Sequence, residues 1–563
     1  MKRAIILTVL LGLFFAPMAA ALEPGDTLWT RTYGGAAGDC GRSVQQTSDG
    51  GYIIAGSTSS FGAGGSDVYL VKTGSSGDTL WTRTYGGSDW DEAYSVQQTS
   101  DGGYIIAGST FSFGAGGSDV YLVKTGSSGD PLWTRSYGGS GDDYGFSVQQ
   151  TSDGGYIIAG STSSFGAGGY DVYLLKTDSS GDTLWTRTYG GNCDDYGRSV
   201  EETSEGGYVI AGYTYFHGPA DVYLLKTDSS GDTLWIRSHG GSRDDYGFSV
   251  QQTSDGGYII TGATLSFGAG GADVYLLKTD SSGGTFWTRT YGGGDYDDGY
   301  SVGQTSDGGY IIAGYTWSFG AGLSDVYLLK TDSSGDTLWT RTYGGSSEDV
   351  GYSLQQTSDG WYAIAGVTYS FGAGSSDVYL IGAAGGVIIA CANPSPWFCR
   401  GRDFSFKLTV TNLTENNVSG TMTFSGYSGY DCDPASVMIS IPRTKTFPPG
   451  VTEQYYRFKV SNAVGPGQYS LSVSGTLSDI NLFCCMNTDI VQCGPWKSGG
   501  NTEWELVEVN ASEFEASVPA VTELRDNYPN PFNAATQFSY SLAEAGTVKL
   551  TIHNLRGQLV ETV

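Results

Sequence analysis

The sequence is poor in histidine and in basic residues, and it has few segments with the period of a helix. Its three histidines, His217, His239 and His553, share no common spacing. A zinc site or a Ser–His–Asp triad needs imidazoles in fixed relation to their partners, so neither finds support. Lys plus Arg number 29 against 58 Asp plus Glu, a formal net charge of −29 at pH 7. Such a chain repels phosphate backbones and anionic lipid, which argues against nucleic acid or a membrane surface as partner. Cationic partners or divalent metals fit that charge better. No segment reaches the ~18 consecutive apolar residues of a spanning helix, so no transmembrane segment is expected. Phe61-Gly-Ala-Gly-Gly-Ser-Asp67 is rich in glycine but lacks the GxGxxG order, and no phosphate-loop lysine follows it.

What the chain does have is glycine and aromatics: 88 glycines, 39 tyrosines and 13 tryptophans in 563 residues. In regular alternation they point to short strands and tight turns. The length exceeds one ordinary domain. The first residues read as a targeting segment: Lys2 and Arg3, an apolar core from Ile5 to Phe15, then Ala19-Ala20-Ala21. A signal peptide over residues 1–21, cleaved before Leu22, implies a chain that is secreted or held on the outer cell surface. The eight cysteines are then disulfide candidates.

One phrase organises residues 22–383. Thr183-Leu-Trp-Thr-Arg-Thr-Tyr-Gly-Gly191 and its variants place a tryptophan at 29, 81, 133, 185, 235, 287 and 339, in steps of 52 residues with a single step of 50. A fixed period of this kind marks a stacked or circular repeat. One unit holds four strand signals: Ser147–Thr151, Tyr156–Thr162, Asp171–Thr177 and the tryptophan strand. Asp-Gly and Gly-Gly between the first two make a hairpin turn. Seven four-stranded units predict an all-β fold, a seven-bladed β-propeller. A solenoid competes, but it needs distinct polar caps, and the end copies here are as apolar as the rest. The first copy offers only a tryptophan strand, Thr27–Tyr33, and the last lacks one. Thr27–Tyr33 is therefore expected beside Asp377–Ile381, closing the ring and removing two open edges.

The recurring Trp-x-Arg-x-Tyr-Gly-Gly, Gly-Tyr-Ile-Ile-Ala-Gly-Ser-Thr and Asp-Val-Tyr-Leu-Leu-Lys phrases resemble the bacterial secreted β-propeller repeat family, over residues 26–382. The resemblance implies the fold and says little of activity.

From 384 to 509 the period disappears. Alternating segments at Phe404–Thr411, Ser419–Phe424, Val437–Ile441, Glu453–Val460 and Tyr469–Val473 suggest an immunoglobulin-like β-sandwich. It carries Cys391, Cys399, Cys432, Cys484, Cys485 and Cys493, whose pairing the sequence leaves open. A polar linker over 510–523 follows. Tyr528-Pro529-Asn530-Pro531-Phe532-Asn533, with Gly557 in Asn-Leu-Arg-Gly, then resembles the C-terminal sorting domain of the type IX secretion system. Residues 524–563 would be a partial copy of that small β-sandwich. The resemblance implies the secretion machinery as a partner, with passage across the outer membrane.

Two aspartates recur in every repeat. Asp39, Asp91, Asp143, Asp195, Asp245, Asp297 and Asp349 stand four residues before each inner-strand serine. Asp67, Asp119, Asp171, Asp221, Asp273, Asp325 and Asp377 open each third strand. Extra acids (Asp89, Glu92, Asp142, Asp194, Asp244, Asp298 and Glu348) flank the first set. With the Ser-Val-Gln-Gln strand innermost, both sets lie on the face that carries the longer loops, the expected binding face. They could form hard oxygen ligands for calcium or an acidic collar for a cationic partner. The simpler reading is that each accepts backbone N–H bonds from its own loop. Phe61, Phe113, Phe165, Phe267, Phe319 and Phe371 are expected to wedge between blades rather than form a sugar-stacking rim. The tryptophans are expected to pack. Cys40 and Cys193 sit in different blades and read as free thiols. The Asp-Ser-Ser-Gly-Asp turn is similar to the sialidase Asp box, but its spacing to tryptophan differs.

The reading is a non-enzymatic binding module for an unknown surface glycan or protein, with no cofactor beyond possible calcium. A glycosidase or lyase with carboxylates at the channel mouth, and a structural surface layer, are its alternatives.

Overall fold

The computed structural model describes residues 23–385, apart from His217 and Asp359, and eleven strands between Val387 and Thr562. The first unit holds seven antiparallel four-stranded sheets and no helix among its described residues. Strand β1 (Thr27–Tyr33) leads into the first complete blade: β2 (Asp39–Gln46), β3 (Tyr52–Thr58), β4 (Asp67–Thr73) and β5 (Thr79–Tyr85). Five further blades repeat the order inner, second, third and outer strand.

The ring closes as the two incomplete end copies predict. β1 pairs antiparallel with Asp377–Ala383, from Thr27 opposite Ala383 to Tyr33 opposite Val378. The seventh blade is thus built from both ends of the repeat region.

Burial explains the texture of the strands. The second and third strands are buried along their length, as in Tyr156–Thr162 and Asp171–Thr177. Strands covered on both faces read as near-continuous apolar runs. The outer strand is largely exposed and stays mixed. Seven apolar clusters fill the seven junctions between blades. In one of them Ile53, Val68 and Leu70 of the first blade meet Tyr104, Ile106 and Val123 of the second. Each buried side chain of this size contributes roughly 1.5–3 kcal/mol. The tryptophans seal the outer ends of these clusters, with Trp81 edge-on to Tyr104 at 5.9 Å and Arg83 over its ring at 5.4 Å.

Around the axis the inner strands are tied by side chains. Each inner-strand serine accepts the N–H of the next blade's valine or leucine, from Val96 to Ser43 at 3.1 Å round to Val44 on Ser353 at 3.1 Å. The inner glutamines repeat the device, as Gln98 N–H donates to Gln45 Oε1. Gly303 replaces that glutamine in one blade and Glu201 replaces it in another.

Two expectations need correction, one of strand bounds and one of loop side chains. Each inner strand starts four residues earlier than its alternation suggests, at the aspartate itself, because Asp143 pairs with Thr162 and Tyr144 with Ser161. A β-bulge between Gly145 and Ser147 breaks the alternation there, and it recurs in all seven blades. The bulge turns the backbone so that a Cβ on Gly56 would stand 1.9 Å from the Cys40 carbonyl, which is why the second strand carries glycine there. The loop phenylalanines are also not wedges. Phe61 is 45 % exposed and lies 5.8 Å from Tyr69 of its own blade.

The second unit contains a four-stranded and a five-stranded sheet between Val387 and Val509. Their long strands include Asp403–Asn412, Val418–Ser428 and Gly467–Leu477. A short pair, Thr551–His553 with Leu559–Thr562, follows. The expected signal peptide and the segment expected to be a sorting motif, Tyr528 to Asn533 with Gly557, lie outside the described residues, as do the cysteine side chains of this region. Cys40 and Cys193 are free thiols.

Candidate functional site

The inner-strand aspartates are placed by their own crossovers. Asp39, Asp91, Asp143, Asp195, Asp245, Asp297 and Asp349 are 0–2 % exposed, each at the first residue of an inner strand. In every one Oδ2 accepts the N–H of the glycine four residues earlier, at 2.7–2.9 Å. A loop serine adds a second donor in several blades, such as Ser164 Oγ to Asp143 at 2.6 Å. The third-strand aspartate of the neighbouring blade approaches the same crossover. A Cβ on Gly34 would lie 2.1 Å from Asp377 Oδ1 and 2.6 Å from Asp39 Oδ2, so only glycine passes between them.

Burial, reinforced by the facing carboxylate, raises the third-strand carboxyls Asp67, Asp119, Asp273, Asp325 and Asp377 above the usual range. No group of three or more His, Cys, Asp or Glu arranged for a metal occurs among the described residues. Two carboxylates fall short of the six to eight oxygens that calcium takes, so carbonyls or water would have to supply the rest.

A different set of residues converges on the axis. The bulged inner-strand position, three residues after each aspartate, contributes Arg42, Tyr94, Phe146, Arg198, Phe248, Tyr300 and Tyr352. All seven line one cavity of about 640 Å³. Leu265, Ala272 and Tyr296, from loops on the crossover side, also line it, so the cavity opens on the face with the longer loops. A smaller cavity of about 290 Å³, lined by Val44, Gln45, Glu201 and their counterparts, lies further along the inner strands. The channel therefore has an aromatic mouth and a narrower polar end.

The mouth is not sevenfold symmetric. Tyr94 and Phe146 lie 5.2 Å apart, and Arg198 stacks over Phe146 at 4.2 Å. On the other side Phe248, Tyr300 and Tyr352 follow at 5.1 and 5.2 Å, and Arg42 stacks over Tyr352 at 4.4 Å. Two aromatic arcs thus each end in a guanidinium. Arg198 Nη2 donates to the Tyr213 hydroxyl at 3.0 Å, while its Nε is buried without a hydrogen-bond partner. Tyr94 donates to Glu92 at 2.8 Å and Tyr315 to Asp298 at 3.0 Å. Burial pushes the Asp298 carboxyl up to about 6 against the pull of that tyrosine.

Strand periodicity hides these residues because a bulge interrupts the alternation on which inward and outward positions are counted. One signal was available. Among near-identical copies, the residue one after the aspartate (Cys, Glu, Tyr, Tyr, Tyr, Asp, Val) and the residue three after it are the inner-strand positions that vary most.

No family model matches the chain. The "Regulatory protein FlaEY" of Caulobacter vibrioides is 31% identical over 110 residues, which is 17% of this chain and 12% of that protein. The chain thus spans about an eighth of that relative's length. Among solved structures, Sqt1 from Chaetomium thermophilum aligns over 83% of this chain and all of its own, at 10% identity and a TM-score of 0.37. A eukaryotic initiation factor aligns over 81% of this chain and 90% of its own, at 10% identity and a TM-score of 0.25. The propeller therefore rests on the strand order and closure described above.

Proposed function

We propose that the chain is a non-enzymatic binding protein acting outside the cytoplasm, secreted or held on the outer cell surface. Its ligand, a surface glycan or a protein, seats at the mouth of the propeller channel. The observation that carries this is the cavity itself, to which each of the seven inner strands sends one side chain from a bulge. Its volume falls in the range of small-ligand sites, and it joins aromatic walls to a few polar groups, as such sites do. The signal peptide and the sorting motif supply the export half of the reading, with the type IX machinery as the transporting partner.

The full chain is tested against immobilised glycans and candidate surface proteins, together with Phe248→Ala and Tyr300→Ala. Loss of about tenfold or more in affinity is expected from each, as for anchors at the centre of a contact. Gln149→Ala, at the narrow end, should leave binding intact. Ligands that bind all three variants equally would place the seat elsewhere and end this reading.

An enzymatic reading has one observation behind it, the Asp298 carboxyl held partly protonated near neutral pH in the same cavity. Such an acid suits proton donation to a glycosidic oxygen. Turnover of any oligosaccharide that disappears in Asp298→Asn would favour it.

A further inference from the structure

We propose that the channel mouth recognises an acidic sugar, ring-shaped units whose carboxylates are held by Arg198 and Arg42. This rests on the cavity being a ligand seat, and it assigns the charge and shape of what the seat holds.

The charge argument starts from an exception. In a chain of net charge −29, every outer-strand arginine but Arg237 has an acidic partner on the next blade's turn or at the chain start, such as Arg31 with Asp78 at 3.1 Å and Arg341 with Glu23 at 3.1 Å. The turn position that would serve Arg237 is Gly284. The buried lysines other than Lys226 are paired in the same way, as Lys176 is with Asp153 at 2.9 Å. Arg42 and Arg198 belong to no ion pair among the described residues, although both are half-buried on the channel axis.

The acids near them, Glu92 and Asp298, form no ion pair with either guanidinium, although Glu92 is close enough to favour the Arg42 charge. Glu92 accepts from Tyr94, and Asp298 accepts from Tyr315. Guanidinium groups half-withdrawn from water without a direct ion pair can take an anion, and their planar forks fit a carboxylate. The buried Nε of Arg198 is a donor with no acceptor in the protein. The strongly acidic surface does not oppose this at close range, because salt screens exposed charges beyond about 8 Å at physiological ionic strength.

The shape argument comes from the walls. Neighbouring rings are tilted by 55°, 35° and 47° along the two arcs, so they line the mouth obliquely instead of stacking shut. Tyrosine combines an apolar ring with a hydroxyl, and Tyr94, Tyr296, Tyr300 and Tyr352 bring that combination into the cavity. A pyranose presents the complement, apolar C–H faces with hydroxyls around the edge. A free carboxylate side chain from a protein partner shares the charge but not the ring.

The experiment is calorimetric titration of the full chain with tetragalacturonate, cellotetraose and a tetra-aspartate peptide at 0.15 M salt. Tetragalacturonate is expected to bind at least about tenfold tighter than either other probe, the margin of one or two charge-assisted bonds. Arg198→Gln and Arg42→Gln should each remove most of that margin, with melting temperatures close to the parent. Arg198→Lys should restore only part of it, because the ammonium lacks the fork.

Equal binding of tetragalacturonate and cellotetraose overturns the acidic assignment and leaves the ligand seat standing. Preferential binding of tetra-aspartate overturns the sugar. No binding by any probe, with an unrelated partner captured through the same cavity, also ends the acidic-sugar assignment. Capture that ignores Phe248→Ala ends the seat with it.

Discussion

Glu201 is the one charged residue in the ring of glutamines at the narrow end of the channel. Its Oε2 accepts the Gln252 N–H at 2.5 Å, as its glutamine counterparts do for their neighbours. The amide-for-carboxylate exchange keeps the hydrogen bond but buries a charge. Burial therefore pushes the Glu201 carboxyl up to about 7, against a smaller opposing pull from that backbone N–H. A carboxyl raised on folding binds its proton more tightly in the native state, so stability falls as pH rises from about 4.5 through 7. Below that window the residue is neutral in both states and costs nothing. Glu201→Gln is expected to raise the melting temperature at pH 8, by at most roughly 3 kcal/mol of stability, and to leave it unchanged at pH 4. Thermal melts of both proteins across pH 4–8 measure this. A gain of the same size at pH 4 would mean that packing, not charge, separates the two side chains.

At the scale of the element, in six of the seven blades the first hairpin meets a buried lysine at the end of the third strand; the seventh has Gly382 there. Lys176 is 3 % exposed; its Nζ reaches Asp153 of the Ser-Asp-Gly-Gly turn and the Thr177 carbonyl. The Asp153 carboxyl drops to about 2: burial opposes the shift, but the Thr151 hydroxyl, the Gly155 N–H and Lys176 outweigh it. A depressed carboxyl contributes stability that is present above about pH 4 and lost as pH falls toward 2. In the fourth blade Glu205 stands where the others have aspartate, and Lys226 Nζ turns to the Thr203 hydroxyl at 2.7 Å instead. Its burial lowers the Lys226 ammonium below the usual range. Glu205→Asp should rebuild the pair and stabilise the fourth blade by about 1 kcal/mol, whereas Asp153→Asn should destabilise the third by about 1–2 kcal/mol. Both are read from urea midpoints at pH 7, and the Asp153→Asn deficit should shrink to a small part of that as pH falls to 2. The turn was legible in the sequence because Asp-Gly-Gly needs no tertiary context to act as a hairpin. Blade count, strand order and ring closure were legible for a related reason: the period and its phase at the two ends are properties of the chain alone. The axial cavity was not, because Arg42, Tyr94 and their counterparts reach the axis through a bulge, a one-residue backbone displacement that the apolar pattern does not encode. Nor was the burial of Asp143 and its counterparts, since it depends on the neighbouring blade arriving over the crossover.

For the whole molecule, what turns seven similar units into one structure is the seam between β1 and Asp377–Ala383. Around it Tyr343 donates to the Gly25 carbonyl at 2.5 Å, Gly25 N–H reaches the Ala384 carbonyl at 2.9 Å, and Arg341 meets Glu23 at 3.1 Å. These partners are about 320 residues apart or more in the chain, so the seam costs roughly 2–3 kcal/mol more loop-closure entropy than a contact within a blade. It also covers a third strand that is buried along its whole length. Without β1 that strand becomes an open, apolar edge, the kind that pairs with another chain. A variant that begins at Gly34 should therefore melt lower and form dimers or larger assemblies at micromolar concentration. A synthetic peptide covering residues 23–33 should return it to monomer and restore the midpoint. Light scattering and thermal melts, with and without peptide, decide this. If the shortened chain stayed monomeric with an unchanged midpoint, the serine and glutamine ties around the axis would suffice to hold the ring, and the seam would be a consequence of the circle rather than its cause.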